Sequence, residues 1–185
     1  MLRTAGSRAT LAAIVTVVLT ALTAGSAAAA GCAGANVAPS ASPAKASAAT
    51  LCLLNRERRA HGLAPFHVNR ALANAARGHS RDMARRDYFD HTAPGDVTFA
   101  DRIQRANYRP RGSWSIGENI AWGSGSLATP ASIVRAWMKS PGHRANILNR
   151  AFRAIGVGVA PGVPYAASAA VDRSGGLYTT DFGSK

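Results

Sequence analysis

Acidic residues are scarce in this sequence, which has nine Asp and Glu against 22 Lys and Arg and none before Glu57. The 185 residues carry a net charge of +13. A charge of this size suits contact with nucleic acid, anionic lipid or cell-wall polymers. Coding bias and solubility would also produce an arginine-rich surface, and we keep that alternative open.

Long apolar runs are also lacking beyond the N-terminus, where the sequence predicts an export signal. Arg3 and Arg8 precede an apolar stretch over 10–24, and Ala28 and Ala30 suit cleavage after Ala30. The stretch is too short to span a bilayer. We therefore expect a secreted protein, free or associated with the cell wall, with no transmembrane segment after signal removal and no nucleic-acid partner.

Cysteine is rare as well, and both copies, Cys32 and Cys52, follow the predicted signal. In an oxidising compartment such a pair predicts a disulfide. The bond would close a loop of about 20 residues and contribute about 3 kcal/mol on a chain-entropy model. It would also leave no free thiol as a nucleophile. In the alternative, Cys32 carries a lipid, although Ala29 stands where lipoproteins favour Leu.

The remaining chain has the length of one domain, and its patterns predict an α+β class. We divide it into the signal at 1–30, a linker with the first cysteine at 31–47 and a domain at 48–185 that we expect to be monomeric. Helical signals come first, and alternating β-like segments close the chain, which favours layers over a doubly wound fold. Predicted helices cover about 48–60, 69–87, 98–106 and 130–139 with another from 141, and predicted strands cover 115–122, 154–160, 164–171 and 176–182.

Conventional catalytic motifs are missing, so the chemistry must be found in isolated polar residues. Glu118 lies in a predicted strand, and alternation places it on the same face as Ile120 and Trp122. A carboxylate on an apolar face costs several kcal/mol, roughly, unless it is paired or protonated. Glu118 therefore needs a partner, and an imidazole would be suitable.

Two histidines have settings that indicate function. His143 is the third residue of a predicted helix that Ser140 caps, and the positive end of the helix dipole favours the neutral ring. A neutral imidazole can bind a metal or accept a proton. His91 lies in a loop directly after the second predicted helix, where it can fold over a cleft.

Five segments, in this order, resemble the motifs of the CAP superfamily (cysteine-rich secretory proteins, antigen 5 and pathogenesis-related proteins). They are 88–91, 117–122, 136–148, 154–160 and 178–183. The resemblance spans nearly the whole predicted domain. It implies a three-layer α-β-α sandwich with a mainly antiparallel central sheet and a central cleft.

The resemblance also implies a site. Family members bring two His and two Glu together in the cleft, and in some the two His bind a divalent metal. His91, Glu118 and His143 match three of these positions, and Ser140 stands where the second Glu is expected. We expect His91, Glu118, Ser140 and His143 to bind a ligand, with His91 and His143 as the ligands of a divalent metal such as zinc. The alternative is a buried hydrogen-bond network that only holds the loop in place.

We expect a binding protein whose partner is a cell-wall polymer, a lipid or an extracellular protein. The competing class is a metal-dependent hydrolase of wall polymer or protein, with Glu118 as the general base. Catalytic zinc normally has three protein ligands, so two histidines favour binding over catalysis. A third class is an adaptor recruited through its basic surface.

Overall fold

The computed structural model of the protein describes residues 31–164 and 174–184. The predicted signal peptide and most of the predicted strand at 164–171 lie outside these residues. The helices are α1 Pro43–Ala60, α2 Arg70–Arg86, α3 Phe99–Arg105, α4 Pro130–Lys139 and α5 Pro141–Ile147, with a short 3-10 turn at Gly125–Ala128. The strands are β1 His67–Val68, β2 Ile116–Gly123, β3 Ala154–Pro161 and β4 Gly176–Gly183.

Most helices begin where their capping residues predict. Asn69 Oδ1 accepts hydrogen bonds from the first-turn amides of α2, and Thr129 caps α4 ahead of Pro130. The first helix differs, because it begins at Pro43 rather than near Ala48. Ser42 caps it and Pro43 occupies its first turn, the same signal that opens α4 and α5.

The predicted linker therefore contributes to the fold instead of joining two parts loosely. Residues 43–47 are helical. Upstream of them, Cys32 is buried, and Ala35 O accepts a hydrogen bond from Ala131 N at 2.9 Å. The segment thus packs against α4 as well as leading into α1.

The strands form one mixed sheet in the order β1-β3-β4-β2. Strand β4 pairs antiparallel with both β3 and β2, while β1 pairs parallel with β3. The predicted α+β class with a mainly antiparallel sheet is confirmed.

Helices cover both faces of this sheet and form the predicted three layers. On one face α2 packs directly against β3, and a Cβ at Gly156 or Gly158 would overlap the α2 backbone. On the other face Ile155, Val157 and Val159 pack in one apolar cluster with residues of α1 and α4. The alternation of small and branched residues along β3 thus sets how closely each helical layer approaches the sheet.

A disulfide ties the N-terminal segment to the first helix. Cys32 and Cys52 are joined across 20 residues of chain, which confirms the predicted pair. The bond uses the Cys32 sulfur that the lipid alternative would require. Among residues 31–164 and 174–184, no helix is both long and apolar enough to cross a bilayer.

The charged residues next to Arg58 suggest that its side chain is exposed to solvent, but the structure shows the opposite. Its side chain is fully buried, and burial, followed by the charge of Arg153, lowers its pKa to about 10. The guanidinium donates to the carbonyls of Ala64, Ile147, Asn149 and Phe152 at 2.7–3.0 Å. It also stacks over the Phe66 ring, 3.9 Å from its centroid. One side chain therefore joins α1 to the chain between α5 and β3.

We predict that Arg58→Lys lowers the free energy of unfolding by about 3 kcal/mol, since a compact ammonium cannot reach carbonyls spread around a planar fork and leaves acceptors buried without donors. Urea denaturation measures the change. The matched control is Arg59→Lys, at the exposed neighbouring position, which should change stability by less than about 0.5 kcal/mol. Equal effects at the two positions would contradict the role assigned to Arg58.

Candidate functional site

Glu118 lies at the centre of the candidate site and has two partners, an imidazole and a guanidinium. His91 Nδ1 is 2.8 Å from Glu118 Oε1, and Arg102 Nη2 donates to Oε2 at 2.7 Å. The Glu118 side chain is 1% exposed and that of His91 is 48% exposed. Because an ionised carboxylate can only accept, Nδ1 of His91 carries the hydrogen in this contact. The imidazole partner expected for Glu118 is therefore His91.

These contacts keep Glu118 ionised. Burial alone would raise its pKa, but the hydrogen bond from His91 and the charge of Arg102 together lower the pKa below its ordinary value. Arg102 is itself held by a hydrogen bond from Nη1 to Val97 O at 3.0 Å. The helix that presents it begins with a capping box between Thr98 and Asp101.

The backbone of His143 is held by Asn119, the residue that follows Glu118 in strand β2. Asn119 Nδ2 donates to His143 O at 3.1 Å, and Asn146 Nδ2 donates to Asn119 Oδ1 at 2.8 Å. Consecutive strand residues point to opposite faces. Glu118 therefore contacts His91 and Arg102 on the α2 side, while Asn119 fixes α5 and its histidine on the other.

Ser140 contacts His143 and not the carboxylate. Ser140 Oγ lies 2.9 Å from His143 Nδ1, and Ser140 stands where the resemblance to CAP proteins implies a second Glu. Burial first, and then the nearby charge of His91, lower the pKa of His143. The His143 ring is therefore neutral at neutral pH, and His91 is close enough to influence it.

A second set of hydrogen bonds supports the loop that carries His91. Buried His79 contacts Asp90 O through Nε2 at 2.9 Å and the Tyr88 hydroxyl through Nδ1 at 3.3 Å. Tyr88 in turn donates to Asp82 Oδ2 at 2.8 Å. Burial lowers the pKa of His79, which agrees with the hydrogen-bonded core position that its place on the apolar face of α2 predicts.

Sequence reasoning missed Arg102 and Asp181, which lie beside the Glu118 side chain. Asp181 in β4 is the cross-strand partner of Glu118 and is fully buried. Alternation in the closing strand could have indicated Asp181, because it shares a face with Leu177 and Thr179. Nothing local distinguishes Arg102 from the other arginines of the chain. Trp122, which alternation places on the same face as Glu118, is 40% exposed.

The described part of the candidate site contains few side chains that could bind a metal ion. Within the described part of the chain, no three His, Cys, Asp or Glu side chains are grouped as a complete metal site requires. His91 contacts Glu118 at 2.8 Å, while His143 is held on the other side of β2 through Asn119. A cation bound by these two imidazoles would need further ligands beyond them.

A mixed sheet between two helical layers, with a His–Glu contact at its edge, defines the α-β-α sandwich of CAP type. The sequence model of the cysteine-rich secretory protein family, CAP, matches residues 51–165, and the chain belongs to this family.

Relatives agree with this assignment. The chain is 42% identical over 106 residues to the uncharacterized protein YkwD of Bacillus subtilis, covering 57% of this chain and 39% of that protein. An extracellular protein with an SCP domain from Bacillus anthracis is 30% identical with a TM-score of 0.59, covering 77% of this chain and 44% of the other. An outer surface protein of Borrelia burgdorferi shares the fold at 18% identity and a TM-score of 0.58, covering 73% and 89%. The chain thus spans about two fifths of the Bacillus subtilis relative.

We predict that Glu118→Gln lowers the free energy of unfolding by about 3 kcal/mol, because it leaves the charge of Arg102 poorly compensated in a buried setting. Urea denaturation at neutral pH measures this. Glu57→Gln is the control, since Glu57 is the other glutamate of the chain. A loss below about 1 kcal/mol, as for an exposed ion pair, would contradict the assignment.

Proposed function

We propose that this CAP-family domain is an exported binding protein that holds a divalent cation, or a ligand carrying one, through His91 and His143. The main support is that each Nδ1 is already engaged, with Glu118 for His91 and with Ser140 for His143. Both rings are thereby oriented through one nitrogen, and Nε2 is left for a ligand. For His143 this requires Nδ1 to donate to Ser140.

The chemistry of these groups suits zinc and similar ions. Neutral imidazole is a preferred ligand of zinc, copper and nickel. In a metal-binding histidine, one ring nitrogen binds the metal and the other can donate a hydrogen bond to a carboxylate. That hydrogen bond fixes the orientation of the ring and raises the basicity of the metal-binding nitrogen. Glu118 stands in this relation to His91, and the lowered pKa of His143 favours its neutral form. When bound, the cation would supply a positive centre that attracts carboxylate, phosphate or sugar oxygens.

Binding is favoured over hydrolysis by the state of Glu118. The hydrolase alternative needs this carboxylate as a general base, but both of its oxygens have partners, His91 and Arg102. A carboxylate held by an arginine that is only 11% exposed has a lowered pKa and is a poor proton acceptor. Two protein ligands also leave most of a cation's coordination for a partner molecule.

Export is supported by the predicted signal peptide and by the disulfide, which persists in oxidising compartments. The Bacillus anthracis and Borrelia burgdorferi structures are described as extracellular and outer-surface proteins. The basic chain then meets its partner outside the cell, as a cell-wall polymer, a lipid or another extracellular protein.

We predict that the purified protein binds Zn²⁺ in isothermal titration calorimetry, and that His91→Ala and His143→Ala each weaken binding at least about tenfold. Ser140→Ala should also weaken it, by about tenfold, because the His143 ring loses its orienting contact. Nitrogen NMR of the two rings should show Nε2 as the atom that shifts on binding.

His67→Ala is the control, since His67 lies exposed in β1 away from Glu118. Thermal denaturation of each variant separates lost binding from lost folding. The proposal is wrong if the folded wild-type protein binds no Zn²⁺, or if His67→Ala weakens binding as much as His143→Ala.

A further inference from the structure

A second carboxyl group lies buried beside Glu118. Asp181 of β4 is directly opposite Glu118 of β2, and residues opposite each other in an antiparallel pair point to the same face. Counted over the whole residue, Asp181 is 0% exposed and Glu118 is 6% exposed. The α2 backbone closes this face, because it touches the position of Gly156, the other cross-strand neighbour of Asp181.

Asp181 has none of the donors that an ionised carboxylate requires. Among the described residues, no N–H or O–H donates to either of its oxygens. Arg102, the nearby cation, directs Nη2 to Glu118 and Nη1 to Val97 O, and its buried Nε donates to no described residue, Asp181 included. An ionised Asp181 would therefore be a desolvated anion beside a second anion, which is strongly unfavourable.

The two carboxyl groups differ in their electrostatic surroundings. Burial, followed by the negative charge of Glu118 and a hydrogen bond to it, raises the pKa of Asp181 well above its ordinary value, and Arg102 opposes this only in part. Glu118 instead has a lowered pKa, since it takes up the contacts from His91 and Arg102. His79 of α2 also faces Glu118. Paired carboxyl groups whose environments differ in this way divide into one acid and one anion.

We propose that Asp181 is the protonated member of a carboxylic acid–carboxylate pair and donates its hydrogen to Glu118, which holds the Glu118 anion in the position that orients His91. Asp181 is a positioning residue, since it acts through Glu118 and does not reach the cleft. The importance of orienting His91 rests on the function proposed above. The shared proton itself rests only on the contacts around Asp181.

The pair would explain why a buried strand position carries Asp. A neutral acid supplies one donor to Glu118 and leaves a single negative charge for His91 and Arg102 to balance. A second ionised carboxylate would add a negative charge that His91 and Arg102 cannot balance, and the two carboxylates would repel each other. The His91 contact is thus stable only while the proton on Asp181 is retained.

Infrared spectroscopy tests the protonation directly. We expect the carbonyl stretch of a protonated carboxyl group in the purified protein at neutral pH, and its loss in Asp181→Asn, which keeps the shape of the side chain. Asp87→Asn is the matched control, because Asp87 is exposed and asparagine tolerates its left-handed backbone. The band should remain in that control. A wild-type protein without the band, or an Asp181→Asn protein that keeps it, overturns the proposal.

The pH dependence of unfolding gives an independent readout. The native state keeps a proton that the unfolded Asp181 has lost above a pKa of about 3.9, so wild-type stability should fall as pH rises. Between about pH 5 and pH 7, the ratio of the wild-type unfolding constant to that of Asp181→Asn should rise about tenfold per pH unit. Asp87→Asn should show no such difference from the wild type. A ratio that stays constant or falls with pH contradicts a proton on Asp181.

Nitrogen NMR of the His91 ring tests the positioning role. Asp181→Asn retains a neutral donor to Glu118, so the signature of the Nδ1–H bond should persist. Asp181→Leu fills similar space without a donor and should lose that signature while the protein stays folded. An unchanged His91 ring in folded Asp181→Leu refutes positioning. Because none of these three measurements uses a cation, absence of Zn²⁺ binding would refute the proposed function and leave this inference standing.

Discussion

The ionised carboxylate of Glu118 connects parts of the chain that are far apart in sequence. It lies almost fully buried, and such a charge is tolerated only when its partners replace the water it has lost. His91, from the loop after α2, and Arg102, from α3, provide that replacement at hydrogen-bond distance. The loop, α3 and β2 must therefore keep one relative position. The site inherits its geometry from this requirement.

The strand that carries Glu118 also controls the second histidine. Asn119 points to the opposite face, where it binds the backbone of His143 and the side chain of Asn146. Two adjacent residues of β2 thus set the places of both imidazoles, one on each side of the sheet edge. Ser140 then fixes the His143 ring from within its own helix. A His pair arranged in this way needs no second glutamate to hold it.

Arg58 shows how the same fold tolerates a buried cation. Within residues 31–164 and 174–184, no carboxylate contacts its guanidinium; four backbone carbonyls and the Phe66 ring surround it instead. The partial charges of several carbonyls together replace lost hydration, and the pKa remains high enough for the side chain to stay charged. Buried charge therefore serves two purposes here. Arg58 joins α1 to the chain between α5 and β3, and Glu118 holds the elements of the candidate site together.

Local sequence signals determined most of the helix starts, the disulfide pair, the α+β order and the inward face of Glu118, because caps, cysteines and strand alternation act within a few residues. The family motifs added His91, His143 and Ser140 as one group. Only the tertiary structure decided that Arg102 binds Glu118, that Asp181 faces it and that Arg58 is buried. Those outcomes depend on strand register and on helix packing across the sheet. An arginine on a helix has the same local pattern whether its partner is water or a buried carboxylate.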